Sequence, residues 1–351
     1  MLEPLRERVR EAAGRRTPLR LRGGGSKDFY GGEPRGELLD ARGFAGVVEY
    51  EPTELVVTAR CGTPLAELEA LLAEREQMLP FEPPHFAAGA TLGGCVAAGL
   101  SGPRRAAAGA VRDYVLGARL LDGRGDEVAF GGRVMKNVAG YDVARVLAGS
   151  LGTLGLILEV SLKVLPRPAA EETLRLELPQ DKALAALNRW AGQPLPVSAC
   201  AWRDGELHLR LSGAAAALRS AARQIGGEPV APGTAASFWE SVRDQTHPFF
   251  AGDAPLWRIS VPSPTAPLAL AGDTLIEWGG ALRWLRAAGE PAAIRAAAAS
   301  AGGHATLFRG GDKAAGVFTP LAPAAARLHR GLKSAFDPAG IFNPGRLYPE
   351  L

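Results

Sequence analysis

Three glycine-rich segments in the first half of the chain are suited to holding a phosphate-bearing ligand. The longest, residues 86–109, has six glycines and no carboxylate. Glycine lets main-chain N–H groups approach a ligand, and consecutive N–H groups around one concavity form an anion-binding nest. The other two segments are residues 22–27 and 149–155. One such segment alone is more often a set of turns, but three with basic or neutral flanks favour a single large cofactor.

Two arginines are candidates for binding a carboxylate, because the planar guanidinium can form paired hydrogen bonds to that group. Arg258 and Arg283 each lie inside an apolar strand pattern. An arginine within an apolar strand costs free energy unless it is paired. The alternative for each is an ion pair with Glu277 or Glu240, or a side chain that points into solvent.

Histidine is the commonest general base, and the chain has five. His247 precedes a proline and is the candidate for proton transfer. His304 precedes a predicted strand and is a second candidate, and a structural role is the alternative for both. His85 lies in the segment that leads into the longest glycine run, and His208 and His329 are expected to be surface or structural residues.

The composition excludes several classes of function. A net charge of +3, with no basic run interleaved with aromatic residues, argues against nucleic acid as a partner. Three widely spaced cysteines argue against a disulfide framework, a structural zinc site and an iron–sulfur cluster held by this chain alone. No GxGxxG run and no Gly-Lys pair occurs, so neither a Rossmann nucleotide fold nor an NTPase phosphate loop is expected.

The chain gives no sequence signal for a membrane or for secretion. No apolar run reaches the roughly 20 residues of a membrane span. The N-terminus lacks the apolar core of a secretory signal, and its apolar residues at helical spacing favour a surface helix. Buried, reduced thiols in a cytoplasmic protein are the expected state of the cysteines, and no bound metal is expected.

The hydrophobic pattern predicts the elements that would position these residues. A strand over 55–59 and a helix over 65–75 precede the longest glycine segment, and a hairpin over 115–130 follows it. The third glycine segment leads into a strand over 156–164. Prolines at 166 and 168 then mark a linker, so we place the end of a first domain at residue 166.

The second half of the chain has a different organisation. Strands and helices follow one another in strand–helix–strand–strand–helix units, which predict an antiparallel sheet with helices on one face. The fold class is therefore expected to be α+β. We divide the chain into residues 1–166, residues 167–308 and a C-terminal segment, 309–351.

Five motifs resemble those of the vanillyl-alcohol oxidase, or PCMH-type, family of FAD-binding flavoproteins. They read RGGGSKDF, PPHFAAGATLGGCVAAGLSGPRR, GAVRDYVLGARLLDGRGD, VMKNVAGYDVARVLAGSLGTLGLILEVSLKVLP and FDPAGIFNPGRL. The match covers about the first 165 residues and about the last 20, in the family's order. The length and the segments FWESVRDQTHPFF, LWRISVP and EWGGALRW are most similar to the FAD-binding subunits of bacterial glycolate oxidases.

The resemblance implies a PCMH-type FAD-binding domain of two α+β subdomains at residues 1–166. An antiparallel, ferredoxin-like cap or substrate domain would follow at 167–308, and the segment 309–351 would return to the FAD domain. Non-covalent FAD is expected, because Ser26 stands where covalent relatives often carry histidine. The residues that the resemblance implies for FAD binding are Gly23, Gly24, Gly25, Ser26, Lys27, Ala90, Thr91, Gly93, Gly94, Ser101, Gly102, Arg104, Asp113, Val115, Gly152, Gly155, Ile157 and Asn343.

The resemblance also implies what these residues contact. The first two glycine segments would bind the FAD diphosphate, and the third would run along the cofactor. Asp113 and Val115 would lie near the adenosine, and Asn343 near the isoalloxazine ring. Lys136 and Tyr141 would also lie near the flavin, where Lys136 could offset charge on its reduced form.

The implied activity is that of a subunit in a glycolate oxidase or dehydrogenase complex, which oxidises glycolate to glyoxylate. Arg258, Arg283 and His247 would carry the substrate chemistry. Electrons would pass to an iron–sulfur subunit, and a related FAD-binding subunit would complete the complex. The expected location is cytoplasmic, with peripheral contact to the inner membrane through these partners.

One departure from the family's pattern leaves two alternatives open. Relatives that oxidise D-2-hydroxy acids carry a histidine-containing metal and base motif before the C-terminus, but here His304 stands without the second histidine. The first alternative is a non-catalytic flavin subunit that relays electrons or stabilises the complex. The second is a free-standing, FAD-dependent alcohol oxidase that uses oxygen.

Overall fold

The computed structural model describes residues 2–132 and 142–351. These residues form ten α-helices and seventeen β-strands. The helices are α1 (Leu2–Arg15), α2 (Leu65–Ala73), α3 (Leu92–Ala98), α4 (Arg105–Ala108), α5 (Val111–Tyr114), α6 (Gln180–Ala191), α7 (Ala215–Ile225), α8 (Pro232–Arg243), α9 (Pro291–Ser300) and α10 (Pro323–Phe336). The strands are β1 (Leu19–Arg22), β2 (Glu37–Asp40), β3 (Val47–Glu51), β4 (Val56–Arg60), β5 (Gln77–Met78), β6 (Val115–Leu121), β7 (Glu127–Gly131), β8 (Leu156–Lys163), β9 (Leu165–Pro166), β10 (Ala170–Glu177), β11 (Val197–Arg203), β12 (Glu206–Gly213), β13 (Glu228–Val230), β14 (Leu256–Ser260), β15 (Asp273–Glu277), β16 (Leu282–Arg286) and β17 (His304–Arg309).

The five-stranded sheet of the first half, called the small sheet here, has the antiparallel order β3-β4-β8-β6-β7. Its central strand β8 is buried along seven of its eight residues, as its apolar, β-branched sequence favours. The hydroxyls of Thr58 and Ser161 lie opposite each other in the β4–β8 register and bond to each other at 2.8 Å. The buried polar pair is therefore satisfied, and α2 and α3 pack on the sheet within one apolar cluster.

The C-terminal segment returns to the start of the chain. The N–H of Leu19 donates to the carbonyl oxygen of Ile341 at 2.7 Å, next to the parallel β1–β2 pair. Buried Lys333 donates from Nζ to the carbonyl oxygens of Thr153 and Phe342 and to the carboxylate of Asp337, each at 2.8 Å. The ammonium group of Lys333 thus joins α10 to the third glycine segment and to the C-terminal stretch at Phe342.

The second half of the chain forms an antiparallel sheet of eight strands, the large sheet, ordered β13-β10-β12-β11-β15-β16-β14-β17. The strands β10 to β13, with α6 and α7, have the ferredoxin-like arrangement, and β14 to β17 continue the sheet with α9. The two halves meet where Ala201 and Trp202 pair with Glu277 and Ile276. This sheet and the mixed helices and strands of the first half confirm the predicted α+β class.

The two faces of the large sheet have different neighbours. On the far face, side chains such as Leu209 and Leu285 pack against α6, α7 and α9. On the near face, side chains such as Leu256, Trp284 and Phe308 form one apolar cluster with Tyr30, Ala98 and Leu151. The near face therefore packs directly on the part of the chain that holds the glycine-rich segments.

An ionic network also joins the near face to the first half of the chain. The carboxylate of Glu82 accepts from the backbone N–H of Arg104 at 2.8 Å and pairs with Arg210 on β12 at 2.8 Å. The guanidinium of Arg104 also pairs with Glu171 on β10. Breaking a buried network of this kind leaves charges unpaired, so it holds the large sheet in a fixed position.

The longest glycine segment contains a helix that the sequence pattern did not predict. Helix α3 begins after Thr91, whose Oγ1 accepts from the N–H of Gly94, and it ends at Gly99 with a left-handed φ of +67°. Glycine is unfavourable in helices, but a Cβ on Gly93 would lie only 2.6 Å from Cβ of Cys61. Close packing of the helix, rather than its own propensity, explains the residue.

Candidate functional site

The three glycine-rich segments converge on one cleft. Two adjoining cavities share lining residues from residues 21–23, α3, Leu151 and Asn343. Twelve of the residues predicted to bind FAD line the cleft, namely Gly23, Gly24, Gly25, Ser26, Lys27, Thr91, Gly93, Gly94, Gly152, Gly155, Ile157 and Asn343.

The glycines of the first two segments are required by close backbone approach. A Cβ on Gly24 would lie 1.5 Å from the carbonyl oxygen of Gly89, and one on Gly23 would lie 2.2 Å from Oγ1 of Thr91. Gly25 has a φ of +73°, which other residues rarely adopt. Any side chain at Gly23 or Gly24 would therefore push the two segments apart and open the cleft.

In the first segment, five consecutive amide groups remain open. Within residues 2–132 and 142–351, the N–H groups of Gly23, Gly24, Gly25, Ser26 and Lys27 donate to no other residue. In α3, by contrast, the N–H groups of Gly93 and Gly94 are bonded to Cys61 and Thr91. Because α3 and much of the third segment use their amides within the protein, anion binding by the backbone of these two segments stays a prediction.

The charges around the cleft suit an anion. Arg22, Lys27 and Arg346 line it together with one carboxylate, Asp28, and Nε of Arg22 donates to that carboxylate at 2.9 Å. Burial lowers the pKa of Lys27, whose ammonium makes only long contacts of 3.3 Å to Ser26 Oγ and 3.5 Å to a carbonyl oxygen. A diphosphate against five open amides and a weakly bonded ammonium fits this site.

Asn343 connects the first and third glycine segments. Its Oδ1 accepts from the N–H of Leu21 at 2.8 Å, and its Nδ2 donates to the carbonyl oxygen of Leu151 at 2.7 Å. A Cβ on Gly152 would lie 2.7 Å from that Nδ2. The structure therefore shows Asn343 positioning the cleft wall, and its contact with an isoalloxazine ring stays a prediction.

The remaining predicted FAD residues do not line these two cavities. Ser101 Oγ accepts from the N–H of Val111 at 3.0 Å, and the carbonyl oxygen of Gly102 accepts from Nε1 of Trp278 at 3.1 Å. Arg104 belongs to the ionic network with Glu82. Three more residues have structural surroundings of their own: Ala90 is buried next to Gly24, Asp113 accepts from the N–H of Ala110, and Val115 is buried at the start of β6. For all six residues, contact with the cofactor stays a prediction.

The two candidate arginines lie on opposite faces of the large sheet. Arg283 alternates with Leu282 and Trp284 and therefore projects to the far face, where it donates to the carbonyl oxygens of Gly280 and Thr265, each at 2.7 Å. Burial lowers its pKa to about 10. This placement does not support Arg283 as a group that binds a substrate beside the cleft, because its donors are used in holding a loop.

The side chain of Arg258 projects to the near face, and its guanidinium group is available to bind a ligand. Its guanidinium carbon lies 5.2 Å from the ring centroid of Trp278, and no hydrogen bond or ion pair joins it to another described residue. Burial lowers its pKa, while the nearby Tyr30 hydroxyl and Glu277 carboxyl favour its charged form. A half-buried cation on the near face, without a hydrogen-bond partner, fits the predicted binding of a carboxylate.

Two residues near Arg258 were not predicted as part of the site. Arg105 also stacks on Trp278, with its guanidinium carbon 4.4 Å from the ring centroid. Glu277 is 4% exposed, and its Oε1 accepts from Nε1 of Trp284 at 2.7 Å. Burial raises the pKa of Glu277 to about 7. The sequence signal for Glu277 was an acidic residue at the end of the apolar strand β15, but that signal indicated only an ion-pair partner for a candidate arginine.

The candidate histidines have different surroundings. His247 caps a short turn, where its Nδ1 accepts from the N–H of Phe249 at 3.2 Å, so the structure shows a local structural role. Burial and the charge of Arg258 lower the pKa of His304 at the start of β17. His85 pairs with Glu69 at 2.9 Å. Lys136 and Tyr141 lie outside the described residues.

The described part of the chain lacks both a metal-binding cluster and a membrane-spanning helix. Residues 2–132 and 142–351 contain no group of three or more His, Cys, Asp or Glu side chains that could hold a metal ion. In the same ranges, every helix falls short of the length and apolar character that a bilayer crossing requires.

Family models match both ends of the chain. Residues 2–131 match the FAD binding domain, and residues 309–347 match the C-terminal domain of FAD linked oxidases. A search of solved structures found alkyldihydroxyacetonephosphate synthase, with a TM-score of 0.68 and 16% identity, covering 97% of this chain and 75% of that chain. At this identity the likeness establishes the fold alone.

Curated relatives define the family more closely. Glycolate oxidase subunit GlcE of Escherichia coli is 48% identical over 349 residues, which are 99% of this chain and 98% of that protein. Glycolate oxidase subunit GlcD of Bacillus subtilis is 30% identical over 161 residues, or 45% of this chain and 34% of that protein. The chain therefore belongs to the GlcE family of glycolate oxidase subunits, and it is an FAD-linked oxidoreductase of the PCMH type.

Proposed function

We propose that this chain is the FAD-binding subunit of a complex that oxidises glycolate, or a similar small 2-hydroxy acid, to the 2-oxo acid. Its full-length relative is named as a glycolate oxidase subunit. The observation that carries the proposal is that Leu151, a residue of the cleft wall, lies in one apolar cluster with the near face, which bears the unpaired Arg258. A cation for the substrate carboxylate thus adjoins the site that fits FAD.

FAD is the cofactor of this family, and we propose how the chain holds it. The open amides of Gly23 to Lys27 would bind the diphosphate, and Ile157 with neighbouring apolar residues would contact the adenine. Bound FAD supplies the oxidising power, by taking up the two electrons and the hydrogen removed from the substrate carbon. Ser26 occupies the position at which the resemblance places the histidine of covalent relatives, so acid or SDS should release the flavin.

A homologue of a glycolate oxidase subunit implies an enzyme of several subunits. We propose that the partners are a related FAD-binding subunit and an iron–sulfur subunit that receives the electrons. The match to a protein named GlcD supports a common origin of two flavin subunits. We also propose a cytoplasmic location, with contact to the inner membrane through the partners; co-purification of the three subunits with washed membranes tests this.

The binding of FAD is tested with a pair of glycine variants. Gly24→Ala would place a methyl group 1.5 Å from the carbonyl oxygen of Gly89, so FAD should be lost from an otherwise folded protein. Gly43→Ala is the matched control, because a Cβ added at that position would have nothing within 4 Å. The ratio of flavin to protein after gel filtration is the measurement. Equal flavin content in both variants would contradict the proposed cleft.

The catalytic role is tested by anaerobic addition of glycolate to the purified, FAD-loaded chain. Bleaching of the oxidised flavin band would support oxidation in this subunit. His304 precedes the C-terminal segment without the second histidine of the family's motif. This favours a second candidate function, in which the chain relays electrons without binding glycolate. In that case the flavin band would persist until the partner subunits are added. Release of hydrogen peroxide in air without any partner would instead support a free-standing oxidase.

We further propose that residues 1–166, 167–308 and 309–351 act as an FAD-binding domain, a cap domain and a returning segment. The small sheet lies within the first range, and the large sheet begins at Ala170 and ends with Arg309. Limited proteolysis should cut first near residues 167–169, and fragments that stay together in native gels would indicate the docking described above.

A further inference from the structure

A stack of two arginines on one tryptophan lies at the boundary between the large sheet and the first half of the chain. The guanidinium carbons of Arg105 and Arg258 lie 4.4 and 5.2 Å from the ring centroid of Trp278. The guanidinium groups of both arginines are without a hydrogen bond or an ion pair to any residue in the described ranges. Burial lowers the pKa of both groups, and the charge of Arg258 lowers the pKa of Arg105 further.

Two unpaired cations in a half-buried site cost free energy unless an anion joins them. Elsewhere at the same boundary the chain pairs its arginines, as Arg104 and Arg210 do with Glu82. No carboxylate in the described residues forms an ion pair with Arg105 or Arg258; Asp113 and Glu277 favour their charged forms only from beyond ion-pair distance. The stack is therefore complementary to an external anion, and the planar guanidinium group matches a carboxylate through two parallel hydrogen bonds.

The tryptophan of the stack has a fixed place next to the cleft. Trp278 is 6% exposed, and its Nε1 donates to the carbonyl oxygen of Gly102 at 3.1 Å. It belongs to the apolar cluster that contains Tyr30, Ala98 and Leu151. Ala98 and Leu151 also line the cleft, so a small ligand at the stack would lie close to the cofactor site.

Glu277, the residue before Trp278, supplies an acid–base group on the same face. Its carboxyl accepts from Nε1 of Trp284 at 2.7 Å and forms no ion pair within the described ranges. The charged groups that act on it are Arg258, which favours ionisation, and Glu82, which opposes it; burial dominates and raises its pKa to about 7. The neighbouring thiol of Cys200 is neutral at this pH, because burial raises its pKa to about 12.

We propose that Arg105, Arg258 and Glu277 form the substrate site, in which the two guanidinium groups bind the carboxylate and Glu277 accepts the hydroxyl proton. This inference rests on the proposed oxidation of a 2-hydroxy acid. The O–H bond of the substrate breaks and its proton goes to the Glu277 carboxylate. Bound FAD would take up the hydrogen and the electron pair of the broken C–H bond, so that the carbon is left as a carbonyl.

Binding of oxalate tests the site without any turnover, because oxalate carries two carboxylates and no oxidisable C–H bond. Titration of the FAD-loaded chain, followed by flavin absorbance or calorimetry, gives the dissociation constant. Arg105→Met and Arg258→Met should each raise it at least about tenfold. Arg219→Met, on the exposed side of α7, is the matched control and should bind oxalate as the wild type does. Unchanged affinity in Arg105→Met overturns the arginine part of the proposal.

Glu277 is tested through pH. An ionised Glu277 repels oxalate, so wild-type affinity should fall as the pH rises through about 7, while Glu277→Gln should bind equally well across this range. In glycolate-driven bleaching, the wild-type rate should rise through the same pH interval, and Glu277→Gln should be slower by about 100-fold or more. A Glu277→Gln variant that keeps both pH steps overturns the assignment.

The two sets of results separate this inference from the proposed function. If the wild-type protein binds oxalate with these dependences but its flavin is never bleached by glycolate, the carboxylate site is supported and oxidation by this subunit is contradicted. If glycolate bleaches the flavin of both Arg105→Met and Glu277→Gln at the wild-type rate, the proposed function is supported and this substrate site is contradicted.

Discussion

Replacing Glu277 by glutamine should make the folded protein more stable than wild type at pH 8. Burial on the near face raises the pKa of Glu277 from 4.5 to about 7. The folded chain therefore keeps this proton at pH values where the unfolded chain has lost it. Because the folded-state pKa is the higher one, the folded state loses stability as the pH rises from 4.5 to about 7, and the loss is complete above that interval.

The size of this effect follows from the same pKa values. At about 1.4 kcal/mol per pKa unit, ionised Glu277 costs the folded state about 3 kcal/mol. Glutamine cannot ionise, and its side-chain carbonyl can still accept the hydrogen bond from Trp284. Between pH 5 and pH 8, the difference in free energy of unfolding should therefore move in favour of Glu277→Gln by about 2–3 kcal/mol.

Urea denaturation at several pH values, followed by tryptophan fluorescence with FAD in excess, measures this difference. Glu54→Gln is the matched control, because Glu54 is an exposed acid in a turn and should show no such trend. If the difference for Glu277→Gln stays constant within about 0.5 kcal/mol across the range, burial does not hold the proton on this carboxyl and the reasoning is refuted.

Three further outcomes are expected. Lys333→Met leaves the buried carboxylate of Asp337 without its cation and should cost about 3–5 kcal/mol of stability in urea denaturation; a loss below about 1 kcal/mol would contradict the described role. Glu82→Gln removes the acid shared by Arg104 and Arg210 and should speed proteolysis between the two sheets, while Glu54→Gln should not. Burial raises the pKa of all three thiols to about 12, so alkylation at pH 8 should require unfolding, and rapid labelling of the native protein would disprove this for Cys61, Cys95 and Cys200.

The glycine content of these segments was enough to predict a cofactor site. The positions without side chains can be read directly from the sequence, and they affect the backbone only nearby. The sequence did not show which of these amides stay open. Gly93 and Gly94 have the composition of a nest, but Cys61 and Thr91 accept their hydrogen bonds once α3 forms. That distinction depends on partners that lie far from the segment in the chain or that appear only with the helix.

The substrate side of the site was harder to predict for a geometric reason. Arg258 and Arg283 have the same apolar strand context, but successive residues of a strand face opposite sides, and only the tertiary fold decides which side meets the cofactor. Arg105 lies far from Arg258 in sequence, and they meet only because Trp278 packs beneath Gly102. Glu277 was considered only as an ion-pair partner, since its burial is a property of the assembled sheets.

The bonds made by Asn343 have a consequence for biosynthesis. Since Leu21 and Leu151 are linked through this side chain, the cleft has its final wall only after the ribosome has made residue 343 and that stretch has emerged. Flavin loading should therefore be a post-translational event, even though most of the loops that surround it are made early. Nascent chains stalled before residue 340 should retain no FAD, whereas released full-length chains should acquire it.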